Sequence, residues 1–173
     1  MRLWVALALA AVSGFVSLSY EILFYRTISI GLAGAAIAFP LLLGAFLLGI
    51  ALGARASRDL CSDDTTMTTG PLRAIAGFVV GSNVLAFIAM PGIAWVSGLG
   101  QSVGLGLLFV IVASGLLGAQ FPLIAHYGVE PDEQAGQNVS YLYFANIVGS
   151  TLGSFVTGVW VLDHLSLSIT SVD

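Results

Sequence analysis

The sequence contains no lysine, only five basic residues in 173 positions, and a single cysteine. Charged residues make up 8% of the chain, whereas soluble domains carry roughly 25%. A water-facing surface cannot be built from so few charges, so the composition excludes an ordinary soluble enzyme. The basic patches that bind phosphate backbones are missing as well, which excludes nucleic acid as a partner. The lone Cys61 excludes an internal disulfide and has no nearby histidine with which to form a metal site.

Long apolar runs are abundant instead: 58% of the residues are hydrophobic and the mean hydropathy is +1.01. A helix rises ~1.5 Å per residue, so about 20 apolar residues cross a hydrocarbon core of ~30 Å. The runs are continuous and do not alternate, which argues against the strands of a membrane barrel. We therefore predict an all-α, polytopic transmembrane helix bundle of about five helices in a single domain, 1–173. The predicted helices are 4–25, 34–54, 72–96, 103–126 and 139–162.

The distribution of arginines predicts the orientation, because basic residues in short loops favour the cytoplasm. Arg2 precedes the first helix and Arg55, Arg58 and Arg73 lie in the second connection, against Arg26 alone on the other side. We therefore expect a multi-pass protein of a cell inner (plasma) membrane with a cytoplasmic N-terminus and the lipid bilayer as its surroundings. After five crossings the C-terminal tail would face outward and be very short, which suggests that the sequence is part of a longer chain.

The first apolar segment allows a second interpretation. Its basic start, its apolar core and the small residues Ser13 and Gly14 also resemble a secretory signal peptide. The apolar run continues as far as Phe24, beyond the length of a typical signal core, so a transmembrane helix is the favoured reading.

Small residues at four-residue spacing predict close packing of membrane helices. Such pairs are Gly49 and Gly53, Gly77 and Gly81, and Gly149 and Gly153, in the second, third and fifth helices. Packing within one bundle and association with other subunits both fit these faces, so a homo-oligomer or a membrane-complex partner stays open. Pro40 and Pro122 fall inside predicted helices, where the missing N–H frees a carbonyl and predicts a kink.

Polar residues inside apolar segments are costly and mark candidate sites. Asn83 lies near the midplane of the third helix, while Gln120 and Asn146 lie at equal depth, ~10 Å from the inner boundary, within reach of a mutual hydrogen bond. Such bonds contribute about 0.6 to 2 kcal/mol and fit structural bracing as well as function. Glu21, the acidic residue within the first apolar run, is expected near the outer interface. It is either a hydrated carboxylate offset by Arg26 or an inward-facing site for a cation or proton.

Four segments carry a recognisable pattern in a fixed order along the chain. They are SGFVSLSYEILFYR at 13–26, the stretch 38–54 with its Gly-rich end LLGIALGA, GAQFPL at 118–123, and YLYFANIVGSTLG at 141–153. Together they resemble the spermidine-synthase-like membrane proteins, bacterial proteins in which a transporter-like helical region precedes a soluble aminopropyltransferase-type domain. The resemblance implies a link to polyamine metabolism. The family's substrate and cofactor residues lie in that soluble domain, so we assign no catalytic residue, cofactor or metal here.

The sequence has no Gly-rich phosphate loop, no metal-ligating histidine pair and no nucleophile elbow, so catalysis by this chain alone is not expected. Our hypothesis is a membrane-embedded module that binds or moves a small cationic solute, such as a polyamine, or scaffolds a synthase-like partner. Glu21 would supply charge, and Asn83, Gln120 and Asn146 would line or brace the interior. One alternative is a structural subunit that packs through its glycine faces. The other is an aminopropyltransferase whose catalytic domain lies beyond Asp173.

Overall fold

The computed structural model describes residues 3–62, 71–98 and 103–163, and these ranges are helical apart from short connections. The helices are α1 Leu3–Gly31, α2 Ala38–Ser62, α3 Pro71–Gly98, α4 Val103–Gly118, α5 Gln120–Gly128 and α6 Ala135–Phe155, which continues as a π-helical segment over Val156–Val161. α4 and α5 form one rod that is interrupted at Ala119. The described ranges therefore hold five rods, and the predicted all-α bundle of about five helices is confirmed.

Four of these rods are long and apolar enough to cross a membrane, namely Leu3–Ile30, Ala38–Arg58, Gly104–Gly128 and Ala135–Val161. In α3 the corresponding apolar stretch is shorter, Gly77–Ile88. Large apolar side chains point away from the bundle: Phe87 is 68% exposed and Phe144 is 66% exposed. An apolar exterior of this kind suits contact with lipid, because lipid tails solvate hydrocarbon and leave the helices no cost for exposing it.

α1 and α6 pack with their backbones in direct contact. Gly149 and Gly153 of α6 lie against the backbone of α1 at Ala11 and Phe15, where an added methyl group would overlap main-chain atoms. From the other side, Gly14 of α1 lies against the α6 backbone. Small residues permit this close approach of two helices. Gly149 and Gly153 therefore pack between α6 and α1 of the same chain.

α2 and α4 form a second pair of the same kind. Gly49 lies against the carbonyl of Ile111, and Gly53 lies against the backbone of Gly115. Gly118, at the end of α4, lies against the backbone of Ile50. α3 packs against α4 and α1 and so links the two pairs.

Gly77 and Gly81 do not pack against any described residue, since nothing lies within 4 Å of the Cβ position of either glycine. This pair therefore makes no packing contact within the described part of the bundle, and association with another subunit through it stays a prediction. α3 instead buries Ser82 and Ala86, which lie four residues apart on one helix face. Successive helical residues point about 100° apart, so the stripe that contains Ser82 turns Gly81 toward the outside.

The connection between α1 and α2 lies later than predicted. α1 continues through Arg26 to Gly31, because its last turns bury Ile28 and its side chains bond to their own helix, as Thr27 Oγ1 does to the carbonyl of Leu23 at 3.0 Å. Ala33 and Gly34 then adopt positive φ angles of 52° and 74°, which ends the helix. α2 therefore begins at Ala38 and extends to Ser62, past the predicted end at Ala54.

Pro40 acts differently from the prediction, whereas Pro122 lies beside an interruption of its helix. Pro40 lies in the first turn of α2, where a helix needs no N–H donor, so the predicted kink there is wrong. Pro122 lies in the first turn of α5, directly after the interruption at Ala119. Pro91, which the sequence reading did not consider, lies inside α3. Arg2, residues 63–70 of the second connection, and the outward tail beyond Asp163 lie outside the described residues.

Candidate functional site: a cleft between two helix pairs

A cleft of about 380 Å³ lies between the α1–α6 pair and the α2–α4 pair. α1 and α6 supply its polar lining, which consists of Ser13, Ser17, Glu21, Tyr143, Asn146 and Ser150. α2 and the junction of α4 and α5 supply an apolar wall made of Leu43, Phe46, Leu47, Ile50, Ala54, Leu117, Phe121 and Pro122. The site is thus polar on one side and hydrocarbon on the other.

A stripe of polar side chains runs along the face of α1 that borders the cleft. Ser13, Ser17 and Glu21 are spaced four residues apart, and this spacing places side chains one above another on a helix. From Ser13 to Glu21 the stripe extends ~12 Å along the helix axis, at ~1.5 Å per residue. The cleft is therefore elongated parallel to α1.

Glu21 lies part-buried in this cleft and has no hydrogen-bond or ion-pair partner in the part of the chain that the structure describes. The offset by Arg26 that the sequence reading considered does not form there. Because α1 continues to Gly31, the helix extends ~15 Å beyond Glu21, so the carboxylate lies deeper in the bundle than expected. An unpaired carboxylate within an apolar helix is the most chemically distinctive feature of the cleft.

Asn146 reaches the same cleft from α6. Its Nδ2 donates to the carbonyl oxygen of Ala10 at 3.1 Å, which leaves its Oδ1 without a donor among the described residues. The neighbouring Ser150 hydroxyl is likewise unbonded there. The ring of Tyr143 meets Phe121 edge-on, with 5.9 Å between ring centroids, and this contact joins α6 to α5 beside the cleft.

Gln120 braces the bundle just behind the cleft. It is 1% exposed, its Oε1 accepts a 2.8 Å hydrogen bond from Ser13 Oγ, and its Nε2 donates to Ser82 Oγ. The amide thereby ties α5 to α1 and α3. The hydrogen bond to Asn146 that equal depth made feasible does not form, because the two amides approach α1 at different places, Gln120 at Ser13 and Asn146 at Ala10.

Asn83 lies outside the cleft. Its Nδ2 donates to the carbonyl of Val79 in its own helix at 2.7 Å, and its buried Oδ1 has no hydrogen-bond partner. Its backbone carbonyl accepts a 3.1 Å hydrogen bond from the Tyr20 hydroxyl. The structure therefore brings Glu21 and Asn146 together around one cleft, places Gln120 next to it through Ser13, and separates Asn83 from it.

Sequence reasoning missed the small polar members of the site, Ser13, Ser17 and Ser150. The signal was present for α1, since Ser, Ser and Glu recur at four-residue spacing in an otherwise apolar run. For Ser150 no such signal exists, because it occurs within the Gly149–Gly153 packing motif.

The chemistry of the lining favours a small cation. Side chains that carry a carboxylate, four hydroxyl groups and an amide border the cleft, and a carboxylate accepts strong charge-assisted hydrogen bonds from an ammonium group. Charges interact strongly in a low-dielectric interior, so a cation at Glu21 would relieve the cost of keeping the carboxylate away from bulk water. Comparison of the chain with protein-family models, with curated proteins and with solved structures finds no match.

Proposed function

We propose that this chain is a multi-pass module of a cell inner membrane that binds and moves a small cationic solute, with Glu21 as the charged group of its site. The observation that carries the proposal is the unpaired Glu21 carboxylate in the cleft between the helix pairs. Acidic residues within membrane segments generally face the bundle interior or a water-filled cavity, and they mark ion or substrate pathways.

The surroundings of Glu21 support a solute site over a structural ion pair. A carboxylate kept for bundle stability would be paired, because an uncompensated charge in an apolar setting destabilises the fold. Removing one partner of a buried ion pair, for comparison, costs about 3 to 5 kcal/mol of stability. No described cation of the chain is bonded to Glu21. The missing positive charge is therefore expected to arrive with the solute. The resemblance to the spermidine-synthase-like membrane proteins stays a prediction, and the proposal does not depend on it.

Replacing Glu21 by Gln tests this function. The change keeps the shape of the side chain and removes its charge, so we expect affinity for n-butylammonium to fall by at least about tenfold, equivalent to ~1.4 kcal/mol. Binding is measured by isothermal titration calorimetry on the full chain in lipid nanodiscs at neutral pH. Uptake of labelled methylammonium into proteoliposomes measures movement across the bilayer.

Glu130→Gln is the matched control, because Glu130 is an exposed carboxylate in the connection between α5 and α6, outside the cleft. This variant should bind and transport as the parent does. Equal binding by the Glu21→Gln variant and the parent would remove Glu21 from the mechanism and refute the proposal.

A further inference from the structure

The cleft carries a single formal charge. Among the described residues that line it, Glu21 is the one side chain with a carboxyl group, and the other polar members are hydroxyl and amide groups. An occupant that matches this lining has one positive charge, because a second charge would be removed from water without a counter-charge.

The neutral hydrogen-bonding groups cluster away from Glu21. Ser150 Oγ and Asn146 Nδ2 lie 2.8 and 2.9 Å from the Cβ position of Gly14, which is seven residues before Glu21 on α1. That separation corresponds to ~10 Å along the helix axis. The Ser17 hydroxyl lies between the two levels and, like Ser150, has no hydrogen-bond partner among the described residues.

Several other hydroxyl groups of the bundle are bonded where those of Ser17 and Ser150 are not. Ser19, Ser114 and Thr151, for example, each donate to the carbonyl four residues earlier in their own helix. This local bond is the usual way in which a hydroxyl is satisfied inside an apolar helix. Ser17 and Ser150 therefore keep their hydrogen-bonding capacity for whatever occupies the cleft.

The facing wall of the cleft offers only hydrocarbon. Phe46, Leu47, Ile50 and Leu117 come from α2 and α4 and contain no side-chain donor or acceptor. The apolar middle of a ligand would gain free energy by leaving water at this wall, because burial of apolar surface is favourable.

We infer that the solute is an elongated organic monocation. Its ammonium group lies at Glu21, a chain of a few carbon atoms lies against α2 and α4, and a neutral hydrogen-bonding group such as a hydroxyl lies at Ser17, Ser150 and Asn146. This inference rests on the proposed function and adds the class of substrate. It selects amino alcohols and related monoamines over diamines of the same length.

Three amines of equal chain length separate these classes: 4-amino-1-butanol, n-butylamine and 1,4-diaminobutane. Their affinities for the full chain in nanodiscs are compared by calorimetry at neutral pH, where aliphatic amines are protonated because their pKa is about 10. We expect the amino alcohol to bind about two- to tenfold more tightly than n-butylamine, the range that one added neutral hydrogen bond supplies. The diamine should bind more weakly than the amino alcohol.

Ser17→Ala and Ser150→Ala test the placement of the neutral end. Neither hydroxyl makes a bond that the fold needs, so the variants should fold as the parent does and lose only the preference for the amino alcohol. Ser154→Ala is the matched control, a serine of α6 outside the cleft lining, and it should keep the preference.

The outcomes separate the two proposals. Equal or tighter binding of the diamine, or a preference that survives both serine variants, overturns the monocation inference while amine binding at Glu21 stands. Failure of all three amines to bind the parent chain overturns the proposed function and the inference with it.

Discussion

Gln120 shows at the scale of one residue how a polar side chain is retained in an apolar interior. Both ends of its amide are used, the oxygen by Ser13 and the nitrogen by Ser82. Ser82 in turn donates to the carbonyl of Val79 at 3.0 Å. A series of polar groups in which each has a hydrogen-bond partner stabilises a bundle. A group left without a partner would instead cost its full desolvation free energy.

Replacement of Gln120 by Leu should therefore destabilise the bundle. The change leaves Ser13 and Ser82 without their buried partner, and membrane hydrogen bonds contribute about 0.6 to 2 kcal/mol each. We expect the free energy of unfolding in mixed micelles to fall by ~1 to 4 kcal/mol, the sum for two such bonds. The measurement is the midpoint of denaturant-induced unfolding, followed by circular dichroism.

Gln137→Leu is the control for that experiment. Gln137 is exposed on α6, and its Nε2 donates to the Tyr141 hydroxyl at 2.9 Å. Its loss should change the free energy of unfolding by no more than ~0.5 kcal/mol. A Gln120→Leu variant as stable as this control would show that the amide does not brace the bundle.

The residues of the candidate site could be predicted only in part. Glu21 and Asn146 are conspicuous because charge and amide groups are rare in apolar helices. They share a cleft because α6 packs against α1. The spacing of residues within one helix does not reveal which other helix becomes its neighbour, so this contact could not be predicted. The same reason explains the wrong pairing of Gln120 with Asn146: equal depth is necessary for a hydrogen bond, but the rotation of each helix decides the partner.

At the scale of the helix, the glycines divide into two groups with opposite expected behaviour. Gly53→Ala would place a methyl group into the backbone of Gly115, so α2 and α4 must separate. We expect a loss of ~1 to 3 kcal/mol in the free energy of unfolding, as for overpacked interiors. Gly81→Ala meets open space and should be neutral or stabilising by up to ~1 kcal/mol, because alanine is the better helix former.

The two variants are compared with the parent by the same unfolding measurement. Similar losses from Gly53→Ala and Gly81→Ala would contradict the packing described for α2 and α4. A clear loss from Gly81→Ala alone would indicate that the exposed face of α3 is covered by a neighbour in the membrane.

The helices themselves were largely predictable, because long continuous apolar runs leave few alternatives. Their ends were less so. The predicted breaks relied on the charged residues Arg26 and Arg55, but a helix of a membrane protein can carry arginine in its end turns. The actual ends depend on backbone features such as the positive φ angles of Ala33 and Gly34. Alanine rarely adopts a positive φ angle, so the sequence does not indicate this helix end.

At the scale of the whole molecule, the proposed orientation makes a testable statement about the connections. With a cytoplasmic N-terminus, the connection between α1 and α2 faces outward and that between α5 and α6 faces the cytoplasm. Ala35 and Glu133 are exposed positions in these two connections. In a Cys61→Ser background, Ala35→Cys should react with a membrane-impermeant maleimide in intact cells.

Glu133→Cys should react only after the membrane is permeabilised. The reverse pattern would invert the orientation, and labelling of both positions in intact cells would show that one of the three rods between them, α2, α3 or α4–α5, does not cross. Because both substitutions lie in exposed connections, neither should disturb the packing of the bundle.

The backbone contacts within each helix pair have a mechanical consequence. Where main chain touches main chain there is no layer of side chains to re-pack, so each pair is expected to behave as a stiff unit. Spin labels at Leu48 and Val148, one on each pair, should report a change of distance on addition of n-butylammonium. Labels at Val12 and Val148, both on the α1–α6 pair, should not. Equal changes in both distances would refute this stiffness.

The two stiff units are joined at both ends of the polar stripe. Gln120 pins them together beside Ser13, at one end of the polar stripe, while Glu21 lies ~12 Å away at the other end. Beyond Glu21 the two units meet again, because Phe24 and Ile28 of α1 are buried in one core cluster with Leu42 and Phe46 of α2. The polar stripe is therefore bracketed along α1 by a hydrogen-bonded amide at one end and by packed hydrocarbon at the other.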